Sequence, residues 1–151
     1  MAGPELHLAE PADLDRIVSG LKALAHDLND PFPLSTEAVA ATLFGRQAYA
    51  FALLAEDQGL LLAQPCLSTS AGGTLTHVSD LWVAAPARGL GLGRRLLTRA
   101  AREGRDRWQS VGLRVGVYLD NHPALAFYRR LGFVCSERDR LAILSNTALD
   151  P

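Results

Sequence analysis

Three glycines at alternate positions, Gly89, Gly91 and Gly93, fall between a stretch that reads as a strand and one that reads as a helix. Leu75 to Val83 is apolar and β-branched enough for a strand. Beyond the glycines, Leu92, Leu96, Ala100, Ala101 and Trp108 recur at helical spacing. Ala84-Ala85-Pro86-Ala87 is the turn between strand and loop. Alternate glycines leave main-chain N–H groups uncovered and let a ligand approach the backbone. The helix behind them aims its unpaired N–H groups and positive dipole end at the same place. Such a junction favours a phosphate-bearing ligand, and Arg88 adds a cation at its mouth.

The motif excludes two common phosphate binders. A Walker loop needs Lys-Ser or Lys-Thr after its last glycine, and Gly93 is followed by Arg94-Arg95. The dinucleotide pattern G-x-G-x-x-G fails from Gly89, where Arg94 takes the third place, and from Gly91, where Leu96 does. What remains is R-x-x-G-x-G on Arg88, Gly91 and Gly93. It resembles the pyrophosphate loop of the GNAT superfamily of acyl-CoA-dependent N-acyltransferases.

The rest of the chain is compatible with that resemblance. The 151 residues, 48% hydrophobic and 21% charged, suit one domain with a substantial core. The first residues do not read as a signal peptide, and the longest apolar run, Ala48 to Ala55, is far short of a membrane span. Cys66 and Cys135 make neither a disulfide framework nor a metal site and are expected as buried thiols. The cytoplasm is the default compartment. Pro86 to Arg140 holds twelve arginines against five acids, so the remainder holds three basic and eleven acidic residues. This split reads either as a solvated basic helix face or as one half that meets an anionic cofactor and another that meets a cationic acceptor. Aromatic content of 7% and the lack of a recognisable motif argue against nucleic acid as a partner.

The periodicities predict β-α-α-β-β-β-α-β-α-β-β. Glu5 to Ala9 is a short strand. A helix follows Pro11, with Leu14, Ile17, Val18, Leu21, Leu24, Ala25 and Leu28 as its apolar stripe. Ser35 caps a second helix, Thr36 to Phe44, closed by Gly45. Ala48 to Ala55 and Leu60 to Leu67 form a hairpin around Glu56-Asp57-Gln58-Gly59. Leu113 to Leu119 alternates as a strand, Pro123 opens a helix that Gly132 ends, and Phe133 to Ser136 and Leu141 to Ser145 read as two last strands. That is an α/β domain with a mixed sheet, and its element order is that of the GNAT fold.

Further features are similar to the family. Asn121-x-x-Ala124-x-x-x-Tyr128 with Leu131-Gly132-Phe133 resembles its second signature. Asp80-Leu81-Trp82-Val83 followed by Arg88, together with Leu43-Phe44-Gly45 before the hairpin, resembles the diamine and thialysine N-acetyltransferase branch. The match covers roughly residues 48–136. It implies a single N-acetyltransferase domain over residues 1–151, with a mostly antiparallel sheet, two splayed parallel central strands and flanking helices. It implies acetyl-CoA as co-substrate and no metal. The main chain of Leu81, Trp82 and Val83 would pair with the pantetheine arm, and the amides of Gly89, Leu90, Gly91, Leu92, Gly93 and Arg94, with Arg88, would hold the pyrophosphate. Asn121 and Ala124 would contact the cofactor near the thioester. A homodimer is a family expectation.

The chemistry assigns the remaining roles. An alkylamine has a pKa of ~10.4, so roughly one molecule in 2,500 is neutral at pH 7, and deprotonation costs roughly 4–5 kcal/mol. A base must take that proton. Asp80, on the strand that leads into the loop, is the candidate, with His77 as an alternative; the alternative for Asp80 is a purely structural role. The polyamine enzymes commonly carry an acid before this Asp, where this chain has Ser79. The leaving thiolate needs a proton, and Tyr128 is the candidate acid. Tyr118, Tyr49, Trp82 and Trp108 are expected to pack. His7, His26, His77 and His122 lack metal-ligand spacing. Arg129 and Arg130 either reach the adenosine phosphate or face water. The acceptor expected is a small diamine or lysine-like amine. A protein lysine or N-terminus, or a CoA-binding module without turnover, are the alternatives.

Overall fold

The computed structural model describes residues 3–139, 141–145 and 148. They form two compact units, residues 3–116 and a shorter one from Val117 onward.

The first unit holds a five-stranded sheet in the order β1-β2-β3-β4-β5. The strands are β1 (His7–Leu8), β2 (Phe51–Ala55), β3 (Gly59–Ser68), β4 (Gly73–Val83) and β5 (Gly112–Val115). All neighbours are antiparallel except β4 and β5, which are parallel. The helices are α1 (Leu14–Leu28), α2 (Thr36–Phe44) and α3 (Leu92–Trp108). The expected first helix starts as a 3-10 turn, Pro11–Asp13, in which Asp13 accepts from the Glu10 N–H at 2.9 Å. For α2 the expected bounds hold, because Ser35 Oγ accepts from the Ala38 N–H at 3.1 Å.

Strand β2 is buried on both faces. On one face Ala52 and Leu54, with Leu60 of β3, pack against Ile17, Val18 and Leu21 of α1 and Val39 and Leu43 of α2. On the other lies α3, whose Leu92 and Leu96 meet Gly59 and whose Trp108 stacks on Phe51 at 5.4 Å between ring centroids. Helix α3 crosses β4 at Gly104. A Cβ there would lie 1.7 Å from Thr76 Oγ1, so only glycine allows this approach.

In the second unit, α4 (His122–Arg130) is followed by Gly132 at φ +96°, where the helix ends as expected. Three expectations need correction. The strand predicted to reach Leu119 stops at Val115, and residues 117–119 are irregular. Phe133–Ser136 and Leu141–Ser145 are not strands: Val134 is 97% exposed and Leu141 89%, and no ladder partner exists for either among the described residues. Alternating apolarity shows that a segment can pair, not that it does. As a result the parallel pair lies at the sheet edge. Tyr49 and Tyr118, expected to pack, are 58% and 52% exposed. Cys66 and Cys135 are unpaired and half-buried. Among the described residues no helix is long and apolar enough to cross a membrane.

Candidate active site

The separation of β4 from β5 builds the site. Their ladder runs from Leu75–Gly112 to Val78–Val115 and ends there, whereas β4 stays paired with β3 as far as Val83. The cause is visible in the β3–β4 register. Leu62 faces Asp80 and Ala63 faces Val78, which leaves Ser79 as an extra residue. Such a bulge bends and twists its strand. From Ser79 to Val83 one edge of β4 therefore has no strand beside it among the described residues. Leu81, Trp82 and Val83, the expected pantetheine contacts, occupy this open stretch.

The loop stands at its end. Gly89 and Gly91 have φ of +76° and +84°, which glycine adopts without strain, and a Cβ on either would meet no atom within 4 Å. Gly91 is the N-cap of α3. The Arg95 N–H is bonded to the Gly91 carbonyl at 3.1 Å, so the amides of Leu92, Gly93 and Arg94 precede the first closed turn. Leu90 is 77% exposed, while Leu92 is buried and anchors the helix start. A concave run of bare amides at a helix N-terminus fits a pyrophosphate.

Arg88 does not stand free at the mouth. Its Nε donates to the Val83 carbonyl at 2.8 Å and its terminal nitrogen to Asp27 Oδ2 at 2.7 Å. The same oxygen accepts from Trp82 Nε1 at 3.3 Å. The sequence reading missed Asp27, which lies 61 residues from Arg88 with no local pattern to single it out. Two hollows of about 360 and 270 Å³ flank Trp82. The larger is rimmed by Asp15, Glu56, Asp57 and Arg16, whose Nε lies 3.6 Å from Asp57 Oδ1, the smaller by His26, Asp27 and Arg88.

Titratable groups collect where the strands part. Burial raises the Asp80 carboxyl above the ordinary aspartate value, against the opposing effects of the Ser79 hydroxyl and of His77. Ser79 Oγ donates to Asp80 Oδ2 at 2.8 Å. His77, in register with Arg114 of β5, accepts from Arg114 Nε at Nδ1, 3.2 Å away. That bond leaves the proton of neutral His77 on Nε2. Burial, and then the Arg114 charge, lower the His77 pKa. Asp80 is thus the stronger base of the two relative to its type, and its neighbour is held neutral. Spacing within β4 hinted at Asp80 and His77, but Arg114 was legible only from the β4–β5 register.

In the second unit Asn121 Oδ1 accepts from the Ala124 N–H at 3.3 Å and caps α4. Tyr128, on the same helix, lies between Phe127 and Phe133, with ring centroids at 5.2 and 5.3 Å. Burial raises its hydroxyl above the ordinary tyrosine value. Among the described residues no group of His, Cys, Asp or Glu is arranged to hold a metal.

Known proteins share this fold. A crystal structure described as a probable acetyltransferase superposes with a TM-score of 0.75 over 93% of this chain and 97% of its own, at 22% identity. An aminoglycoside acetyltransferase from an uncultured soil metagenomic sample, solved in complex with sisomicin, gives a TM-score of 0.73 over 93% and 95% at 18% identity. Blasticidin-S acetyltransferase from Streptomyces morookaense is 42% identical over 57 residues, which span 38% of this chain and only 40% of that protein. The acetyltransferase (GNAT) family model matches residues 21–133, so this chain belongs to that family.

Proposed function

We propose that residues 1–151 form one acetyltransferase domain that moves an acetyl group from acetyl-CoA to the primary amine of a small cationic molecule. The observation that carries this reading is the parting of β4 and β5 at the Ser79 bulge, with a half-buried Asp80 there and bare loop amides at the strand's end.

When bound, acetyl-CoA supplies an activated acyl carbon and a thiolate leaving group. The amides from Gly89 to Arg94 would hold its pyrophosphate, and the edge of Leu81, Trp82 and Val83, which has no strand beside it among the described residues, would orient its arm. Asn121 and Ala124, bonded to each other at the start of α4, are the residues assigned to the thioester end of the cofactor. Asp80 takes the proton of the incoming ammonium; its raised pKa narrows the gap to the amine. Ser79 gives that carboxylate a fixed hydrogen-bond donor. Tyr128 stays protonated at neutral pH and donates to the departing sulfur. Donation to a thiolate of pKa ~8.5 is uphill by about 2 kcal/mol or more, so the tyrosine works through a short hydrogen bond before the proton moves.

Asp15 and Glu56 at the rim, where Asp57 is already paired with Arg16, and the acid-rich N-terminal part of the chain support a cationic acceptor. The branch resemblance supports a diamine or lysine-like molecule, and the relatives named for blasticidin S and aminoglycosides widen the set. The test is thiol release from acetyl-CoA with spermidine, short diamines, lysine, thialysine, blasticidin S, sisomicin and a lysine peptide. Release that depends on one small amine supports the proposal and names the acceptor. Release with the peptide alone moves the acceptor to protein. Binding of acetyl-CoA with no release from any amine favours a module without turnover.

A further inference from the structure

The ion pair between Asp27 and Arg88 gives the motif arginine a task other than the one its position predicts. Asp27 lies near the C-terminal end of α1, and Arg88 lies where the β4–α3 turn enters the glycine loop. Arg88 Nε is committed to the carbonyl of Val83, the last residue of β4. Its terminal nitrogen is committed to Asp27 Oδ2, which also holds the indole N–H of Trp82. One side chain thus ties the start of the loop to the end of the strand, and one carboxylate ties both to α1. The negative charge of Asp27, 2.7 Å from the guanidinium, cancels much of the field that Arg88 would offer a phosphate. Among the described residues the loop amides have no such competitor.

We propose that Asp27 is a positioning residue of the acetyl-CoA site: it holds Arg88 and Trp82 against α1, so that Arg88 braces the glycine loop instead of binding phosphate. The inference rests on the reading that this loop holds the pyrophosphate. Arg88 and Asp27 side chains are 53% and 42% exposed, and ion pairs at that exposure add little to stability. Loss of the latch therefore changes the loop's alignment more than the fold's stability. Because α1 also borders both hollows, a ligand seated against α1 would act on the loop through this carboxylate.

The test compares Asp27→Ala, Asp27→Asn, Arg88→Ala and the Asp27→Ala/Arg88→Ala double variant with the parent protein. Calorimetry measures binding of acetyl-CoA and of S-acetylpantetheine, which lacks the pyrophosphate. NMR of the ligand-free protein follows the Trp82 indole N–H. Asp27→Ala is expected to weaken acetyl-CoA binding about tenfold. It should weaken S-acetylpantetheine binding less than it weakens acetyl-CoA binding, move the Trp82 resonance and shift Tm by no more than a few degrees. Arg88→Ala should weaken acetyl-CoA to the same extent, the double variant no further, and Asp27→Asn less, since its amide oxygen still accepts. Tighter acetyl-CoA binding by Asp27→Ala, or additive losses in the double variant, would overturn the proposal and make Arg88 a direct phosphate ligand. Parent-like affinity in Asp27→Ala would also overturn it while leaving the assigned function intact. A parent protein that binds no acetyl-CoA, yet shows an Asp27-dependent Trp82 resonance, would refute the function and the positioning role with it.

Discussion

Replacement of Gly104 by alanine tests how α3, and with it the glycine loop, is seated on the sheet. The new Cβ would lie 1.7 Å from Thr76 Oγ1, 2.9 Å from Thr76 Cβ and 3.1 Å from Thr76 Cγ2. Ordinary carbon contacts are about 3.5–4.0 Å, so helix and strand must separate by on the order of 1 Å or more. Thr76 is fully buried and β-branched, and its Cβ alone would stand 2.9 Å from the new methyl group, so turning the side chain does not remove the clash. Two effects oppose each other. Alanine gains about 1 kcal/mol over glycine in a helix interior. Overpacking costs about 1–3 kcal/mol, and the lifted helix also loses contacts along Leu92, Leu96 and Leu97. A net loss of about 2 kcal/mol corresponds to a Tm lower by roughly 4–8 °C in a chain of this size. Thermal unfolding by circular dichroism reads it. Adding Thr76→Ala removes the two γ atoms and leaves only the Cβ contact, so the double variant should recover half of the loss or more. Thr76 Oγ1 is itself buried without a hydrogen-bond partner among the described residues, so its removal has a compensating benefit. A Gly104→Ala protein as stable as the parent, the outcome helix propensity alone predicts, would refute the close seating of α3.

Three other outcomes follow from the site. Asp80→Asn should lower kcat at least a hundredfold yet raise Tm at pH 7. The raised carboxyl means that the folded protein holds this proton more tightly than the unfolded chain, so ionised Asp80 opposes folding at neutral pH. The gain in Tm should shrink as pH falls towards the ordinary value of 3.8, and a lower Tm at pH 7 would contradict the assignment. Tyr128→Phe should reduce kcat about a hundredfold with acetyl-CoA affinity kept; unchanged turnover would place the acid elsewhere. Gly91→Ala forces a side chain into φ +84°, at a cost of about 1–2 kcal/mol, and puts a methyl group into open space where the pyrophosphate is assigned. Calorimetry should show acetyl-CoA binding weakened more than tenfold, and parent-like affinity would show that the loop binds nothing there.

What the sequence determined by itself is what depends on neighbours along the chain. The alternate glycines and the helix after them fix a loop of open backbone ahead of α3 from local chemistry alone. Ser35 fixes the start of α2 because a cap acts three residues ahead. Asn121 and Gly132 bracket α4 for the same reason. What the tertiary structure decided are pairings across distance. The alternation through Leu119 was real, but β5 ends at Val115 because the Ser79 bulge turns β4 away, and a bulge exists only in the register of two strands. The apolar segments after Phe133 alternate as strands do, yet no ladder partner exists for them among the described residues. Arg114 reaches His77 across 37 residues, and Asp27 reaches Arg88 across 61. No periodicity encodes a carboxylate and a guanidinium that meet only after α1 has packed across the end of β4. The motif therefore located the loop, and the packing of α1 decided what its arginine does.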